Sequence, residues 1–186
     1  MKDSEQSIGL YDYAELQSFL AAPFRQLETR QIPQAPSKEF LMWIPTQRHI
    51  EVGFVYKSSI WYLVKASDWG IPIWLIPPDA DVLLHSHYEI PGQDPIKATI
   101  PSAEDFLNAS PTAHNLITST IGLTQFHTVD SLHHLELRAI AESERYRTDI
   151  DGYLSFLESL DARYEVYLWE EMSDNQLACL LKSSYK

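Results

Sequence analysis

The chain has 186 residues, of which 45% are hydrophobic and 22% are charged, a composition typical of one globular domain and not of a disordered chain. Its 26 acidic residues outnumber its 14 lysines and arginines, which gives a formal net charge of −12. Phosphate contacts need a basic surface, so this charge argues against nucleic-acid binding and favours a protein partner with a basic face.

Cysteine content and hydropathy bear on the compartment. Cys179 is the single cysteine, so no internal disulfide can form, and its apolar surroundings in the sequence predict a buried, inert thiol on a helix. No apolar run reaches the ~18 residues that a membrane-spanning helix needs. The polar start Met1-Lys2-Asp3 is unlike a signal peptide, and lipidation motifs are absent. These features predict a cytoplasmic protein without a membrane partner.

The first half of the chain predicts one helix followed by strands. Tyr13, Leu16 and Leu20 recur at helical spacing, and Pro23 is a natural helix stop. Residues 31–38 contain two prolines and predict an exposed connector. Short apolar or alternating runs then predict strands over 39–44, 51–56, 60–64 and 81–87, with a further apolar run over 73–76. The residues 57–59 are predicted to join the second and third of these runs as a hairpin.

The second half of the chain predicts a helix, a hairpin and then a helical region. A helix is expected over 102–109, and two runs flanking Ile121-Gly122 predict a second hairpin. An amphipathic helix around 153–160, a strand or helix over 164–169 and a terminal helix over 175–182 follow. We therefore expect a single α/β domain over 1–186, a mixed sheet flanked by helices. Its site-bearing core covers about 39–127, and a helical extension over about 131–186 completes the core or a homo-oligomer interface.

The stretch His85-Ser86-His87 has the pattern of a metal site. Alternate side chains of a strand share a face, so the two imidazoles can point at one ion while Ser86 points away. A helix that starts at Ser102 carries Asp105 on its first turn. Two histidines and one carboxylate, with a fourth position left for water, describe an open catalytic zinc site rather than a closed structural one. This pattern predicts a hydrolase.

The same residues have an ordinary structural interpretation. Ser102-Ala103-Glu104-Asp105 ahead of an apolar pair is also typical of a helix N-terminus, where the serine caps the helix and the acid is favoured by the helix dipole. The two histidines, in turn, fit an ordinary strand. Both interpretations fit the sequence.

The motif resembles a known family. His85-Ser86-His87 followed by Pro101-Ser102-Ala103-Glu104-Asp105-Phe106 is similar to the His-x-His…Ser-x-x-Asp signature of the JAMM (JAB1/MPN-plus) metalloproteases, and the resemblance covers roughly residues 39–127. It implies an MPN/JAB-like α/β fold, a Zn²⁺ held by His85, His87 and Asp105, and a Ser102 that helps to hold the tetrahedral intermediate. The resemblance also implies an upstream glutamate that acts as general base.

Two glutamates are candidates for this base. Glu51 precedes a strand-like, glycine-containing segment as the family's glutamate often does, and we choose it. Glu39 also opens an apolar run, and it is similar in placement to the glutamate of the bacterial RadC branch of the superfamily. Either residue also suits a solvated strand edge.

The chain departs from the family in the segment after the histidines. Tyr88 stands where the family has proline, and residues 88–101 are about twice as long as the usual spacing. Loop closure becomes only slowly more costly with length, so the insertion is compatible with the site. We predict that 88–100 is a loop or lid that contacts the substrate.

The resemblance implies a zinc-dependent isopeptidase or peptidase. Its substrate would be the C-terminus of a ubiquitin-like or sulfur-carrier protein, with Glu51 and Ser102 as catalytic groups. Two alternatives stay open. One is a metal-free scaffold of the same fold, and the other is a zinc hydrolase that acts on a small molecule or nucleotide.

Overall fold

The computed structural model describes residues 18, 28–32, 34–47, 51–65, 79–89, 92–143 and 148–182. The predicted N-terminal helix, apart from Ser18, and the apolar run at 73–76 lie outside the described residues. Within the described part of the chain, no helix is both long enough and apolar enough to cross a membrane.

A seven-stranded mixed sheet forms the centre of the molecule, in the strand order β1-β3-β2-β4-β5-β6-β7. β4 and β5 run parallel, and the other neighbouring strands run antiparallel. The mixed α/β prediction is therefore confirmed. The strands are β1 (Glu28–Ile32), β2 (Val52–Lys57), β3 (Ile60–Lys65), β4 (Val82–Ser86), β5 (His114–Thr118), β6 (Gly122–Phe126) and β7 (Tyr164–Leu168).

Five α-helices and three 3₁₀ segments accompany the sheet in the described ranges. The helices are α1 (Lys38–Trp43), α2 (Ala103–Asn108), α3 (His134–Ser143), α4 (Ile150–Ser159) and α5 (Asp174–Leu181). The 3₁₀ segments cover Ile44–Thr46, Pro95–Thr99 and Ser131–His133.

The two predicted hairpins are confirmed. β2 and β3 join through Ser58 and Ser59, whose φ angles of 51° and 66° give the left-handed turn that matches the twist of the flanking strands. β5 and β6 pair antiparallel on either side of 119–121. In both cases a turn of two or three residues separates two strand-like runs, which is a strong local signal.

The predicted strand over 39–44 is wrong, because these residues form α1 and the start of a 3₁₀ turn. Ser37 caps the helix by accepting a hydrogen bond from the backbone N–H of Phe40 at 3.2 Å. Phe40, Leu41 and Ile44 are fully buried, and this spacing is helical. A short apolar run gives little periodicity, so the capping serine was the better signal.

The connector predicted over 31–38 is also wrong in part. Its first two residues belong to β1, which pairs antiparallel with β3 through Ile32 and Trp61. Ile32 is buried at this edge of the sheet. Its last residue, Lys38, begins α1.

The C-terminal region contributes a strand as well as helices. β7 pairs with β6 along its whole length, from Gly122 opposite Leu168 to Phe126 opposite Tyr164. This resolves the strand-or-helix alternative for 164–169 in favour of a strand. The region after residue 131 is thus not a purely helical extension, since it supplies an edge strand of the central sheet.

Both faces of the sheet carry an apolar core. Leu84 and Leu116 belong to a core on the first face that also contains residues of α1 and α5. Ile117, next to Leu116, belongs to a second core with residues of α2, α3 and α4. His85 follows Leu84 and pairs in parallel register with Ile117. Strand alternation therefore places His85 on the second face, where α2 packs.

Cys179 is exposed, so the prediction of a buried thiol is wrong. Leu177 and Leu181 are the buried residues of α5. Cys179 lies two positions from each of these leucines, which places it on the opposite side of a helix with 3.6 residues per turn.

Candidate metal centre

The structure brings His85, His87 and Asp105 together. The Nε2 atoms of the two histidines lie 3.1 Å apart. Asp105 places one carboxylate oxygen 3.0 Å from the Nε2 of His85 and the other 3.2 Å from the Nε2 of His87. The side chains are only 12–19% exposed. Within the described residues, this trio is the group of histidine, cysteine and acidic side chains that has the spacing of a metal site.

The end of β4 sets the positions of the two imidazoles. β4 ends at Ser86, and the backbone N–H of His87 donates to the carbonyl of Thr118 at 2.9 Å. This bond continues the β4–β5 pairing by one residue, so His87 keeps the side-chain alternation of the strand. The ring centroids of the two histidines lie 4.9 Å apart at an interplanar angle of 62°. Both Nε2 atoms consequently point at the same carboxylate.

The start of α2 sets the position of Asp105. Ser102 and Asp105 form a capping box, in which the Ser102 N–H donates to the Asp105 carboxylate at 2.7 Å and the Asp105 N–H donates to the Ser102 hydroxyl at 3.1 Å. The helix-capping interpretation of the motif is therefore confirmed. The same carboxylate also contacts both histidines, so capping and the metal-site geometry occur together.

Charge and burial act in opposite directions at these groups. Burial raises the pKa of Asp105, but His85 and His87 more than offset it and hold the pKa well below its usual value. Burial lowers the pKa of His87, and the charges of Asp105 and Glu51, with a hydrogen bond to the Ala98 backbone, reverse this and raise it overall. The carboxylate is thus kept ionised next to an imidazole that favours its protonated form.

The donor set fits a divalent metal ion. Donor atoms around a tetrahedral zinc with bonds of roughly 2.0–2.1 Å lie about 3.3 Å from one another, close to the 3.0–3.2 Å separations found here. Two imidazole nitrogens and a carboxylate oxygen are the ligands of many catalytic zinc sites, and the same set also binds Fe²⁺. His85, His87 and Asp105 can therefore hold a metal ion.

A cavity of about 180 Å³ lies beside the cluster of His85, His87 and Asp105. His87, Ser102 and Glu51 line it together with residues of the 88–100 segment and of α4. The hydroxyl oxygen of Ser102 acts as an acceptor in the capping box, so its hydrogen can still be donated into the cavity. The cavity thus brings together a carboxylate, a hydroxyl and one of the metal-site histidines.

The two candidate bases lie in different places. Glu51 immediately precedes β2, is half-buried and lines the cavity with His87 and Ser102. Glu39 is exposed on α1 and is not among the residues that line this cavity. Of the two glutamates, Glu51 is the one that the fold brings to the cluster.

The second part of the inserted segment contains a turn of 3₁₀ helix. Its 3₁₀ segment Pro95–Thr99 begins at Asp94, whose side chain accepts from the Ile96 N–H at 3.0 Å. The hydroxyl of Thr124, in β6, donates to the Thr99 carbonyl at 2.6 Å. Asp94-Pro95, a cap followed by proline at the first helical position, is the sequence signal that could have predicted this turn.

Further cavity residues come from regions that sequence reasoning did not connect to the site. Ile150 and Tyr153 reach the cavity from α4, and the Tyr153 hydroxyl donates to the carbonyl of Pro101 at 2.9 Å. This bond braces the residue that precedes Ser102. No local pattern predicts it, because 52 residues separate the two partners.

Comparison of the chain with family models, with curated proteins and with solved structures finds no match.

Proposed function

We propose that this protein is a zinc-dependent isopeptidase or peptidase of the JAMM type, with an MPN/JAB-like fold. The observation that carries the proposal is the convergence of His85, His87 and Asp105 beside a cavity that Glu51 and Ser102 also line. The motif resemblance adds support, since the residues that converge are those it implies. The mixed sheet and the α2 position are compatible with that fold.

Each group has a chemical task in the proposed reaction. His85, His87 and Asp105 would hold the zinc, which would supply Lewis-acid chemistry by lowering the pKa of water toward neutrality and polarising a carbonyl. Glu51 takes the proton from the attacking water and returns it to the leaving amine. Ser102 donates a hydrogen bond to the developing oxyanion, and deleting such a donor typically costs ~3 kcal/mol of transition-state stabilisation. The Ser102 N–H orients Asp105 through the capping box.

We propose the C-terminal tail of a ubiquitin-like or sulfur-carrier protein as the substrate. The net charge of −12 favours a partner with a basic face over nucleic acid. We place the reaction in the cytoplasm, without a membrane partner. The residues of the 88–100 segment that line the cavity would contact the tail.

Metal analysis of the purified protein tests whether His85, His87 and Asp105 bind zinc. We expect one Zn²⁺ per chain by mass spectrometry, lost in His85→Ala and kept in His127→Ala, which alters an exposed histidine outside the cluster. A preparation never exposed to chelator that contains no zinc, and takes up none when zinc is added, contradicts the enzymatic proposal and favours a scaffold.

Replacement of each glutamate by glutamine tests which of the two is the general base. Glu51→Gln should keep zinc and fold but lose about 10²–10⁴-fold in turnover, because the amide cannot accept the proton. Glu39→Gln is the matched control and should be close to wild type. The assay uses ubiquitin-like proteins extended by a short C-terminal tail. Reversed phenotypes would move the base to Glu39, and full activity in both variants would contradict the mechanism.

A further inference from the structure

Ser86, between the two histidines, occupies a position where an apolar residue is expected. Val82 and Leu84 alternate with it along β4 and are buried in the first core. Ser86 itself is only 1% exposed. A buried hydroxyl is favourable only where it forms hydrogen bonds, so its partner indicates what the serine does.

The Ser86 hydroxyl accepts a hydrogen bond from the backbone N–H of Val52 at 3.0 Å, and this contact is buried. The paired register of β2 and β4 runs from Tyr56 opposite Val82 to Gly53 opposite His85. Val52 lies one residue beyond this last pair. The side chain of Ser86 therefore extends the attachment between the two strands past the end of their backbone pairing.

This bond holds the peptide group that links Glu51 to Val52. The donor N–H belongs to that peptide group, so the hydroxyl fixes the backbone of Glu51 directly to the strand that carries the histidines. Glu51 lies immediately before β2, which begins at Val52. The tripeptide His85-Ser86-His87 thus carries two of the metal-site donors and a buried attachment to the peptide group of the glutamate beside them.

We propose that Ser86 is a positioning residue that sets the place of Glu51 relative to His85 and His87. The proposal rests on the proposed function, in which Glu51 is the general base. A shift of about 1 Å in such a group can lower a rate about 10²-fold. The hydroxyl does not touch the substrate, and its effect passes through Glu51.

The test compares Ser86→Ala with Ser119→Ala. Ser119 is also fully buried, and its hydroxyl accepts from the Gly122 N–H at 3.1 Å in the turn between β5 and β6. Both substitutions leave a buried backbone N–H without its partner, so a general loss of stability affects them alike. Ser86→Thr keeps a hydroxyl and suits a strand, and it is the rescue variant.

Amide hydrogen exchange in the metal-free protein measures the attachment without any assay of activity. In Ser86→Ala, exchange at Val52 should accelerate roughly tenfold or more, and the ¹³C resonance of the Glu51 carboxyl should move. Phe54 and Tyr56 should keep their protection. Ser119→Ala should change neither Val52 nor Glu51, and Ser86→Thr should restore both. Unchanged exchange at Val52 in Ser86→Ala overturns the proposal.

Turnover separates positioning from a general effect. Ser86→Ala should bind one zinc and lose at least about tenfold in turnover of a tail-extended ubiquitin-like protein, with no further loss when Glu51 is already glutamine. An equal loss in both backgrounds overturns the proposal. A wild-type protein that cleaves no tail contradicts the proposed function alone, and exchange at Val52 with the Glu51 resonance then decides the role of Ser86.

Discussion

Two helices of this chain begin with the same device in different surroundings. At α2, Ser102 and Asp105 form a capping box, and at α5, Ser173 and Gln176 form another. The Ser173 N–H donates to the Gln176 side chain at 2.8 Å, close to the 2.7 Å of its counterpart. The first box is largely buried, with its carboxylate against two histidines, whereas the second is exposed. A local signature thus predicts the helix start, and its surroundings decide what else it does.

The largest expected difference between the two boxes is in zinc affinity, when the side chain of Asp105 or of Gln176 is removed. Asp105→Ala should weaken zinc binding by more than the roughly 10–100-fold typical of losing an outer-shell partner, because it removes one of three proposed ligands. Gln176→Ala should leave zinc affinity unchanged and cost about 1 kcal/mol of stability at most. Competition with a chelating dye measures both. Equal zinc affinity in the two variants would show that the boxes differ in burial alone.

Removing the serines sharpens the comparison. Ser102→Ala and Ser173→Ala should each lower the free energy of unfolding by about 0.5–2 kcal/mol, as for other N-cap serines. Only Ser102→Ala should also lower turnover, by about 10²–10³-fold, if its hydroxyl supports the oxyanion. Chemical denaturation and single-turnover assays measure the two effects. A Ser102→Ala protein with full turnover would reduce Ser102 to a helix cap like Ser173.

The smallest expected effect is a pH dependence of stability in the metal-free protein. It should arise at the capping box of Ser102 and Asp105 and not at that of Ser173 and Gln176. The pKa of Asp105 is lowered in the folded state, so its stabilisation is present above the ordinary value of 3.8 and is lost as the pH falls through the lowered pKa. The pKa of His87 is raised, so its stabilisation is complete below 6.5 and is lost as the pH rises through the raised pKa. The stabilisation that Asp105 and His87 contribute should therefore be greatest between pH 3.8 and pH 6.5.

Chemical denaturation in the presence of chelator, repeated across pH, measures this profile. Asp105→Asn retains an acceptor for the cap and removes the charge, so it should flatten both flanks of the profile. Gln176→Glu is the control that adds a charge at the exposed box. A wild-type profile that Asp105→Asn leaves unchanged would show that the carboxylate and imidazole are not coupled.

What the sequence predicts well is encoded locally. His85 and His87 share a face because strand alternation requires it, and Ser102 and Asp105 are joined by the geometry of one helical turn. The two hairpins have short turns between strand-like runs. These features need no knowledge of distant partners.

What the sequence predicts poorly depends on distant contacts or on short patterns. The run 39–44 is too short for its periodicity to distinguish a strand from α1. The pairing of β7 with β6 and the bond from Tyr153 to Pro101 depend on tertiary structure. The motif resemblance favours Glu51 over Glu39, but the position of Glu51 in the wall of the cavity depends on the assembled fold.

The parallel pairing of β4 and β5 has a consequence for folding order. The hairpins β2–β3 and β5–β6 close over short turns, whereas β4 and β5 pair in parallel and are joined by the long connection 87–113 that carries α2. Contacts that close long loops form later than local ones. Asp105 lies within this connection, so its contacts with His85 and His87 also close a long loop. We therefore expect metal uptake to mark the late, non-local stage of folding, after both hairpins have formed.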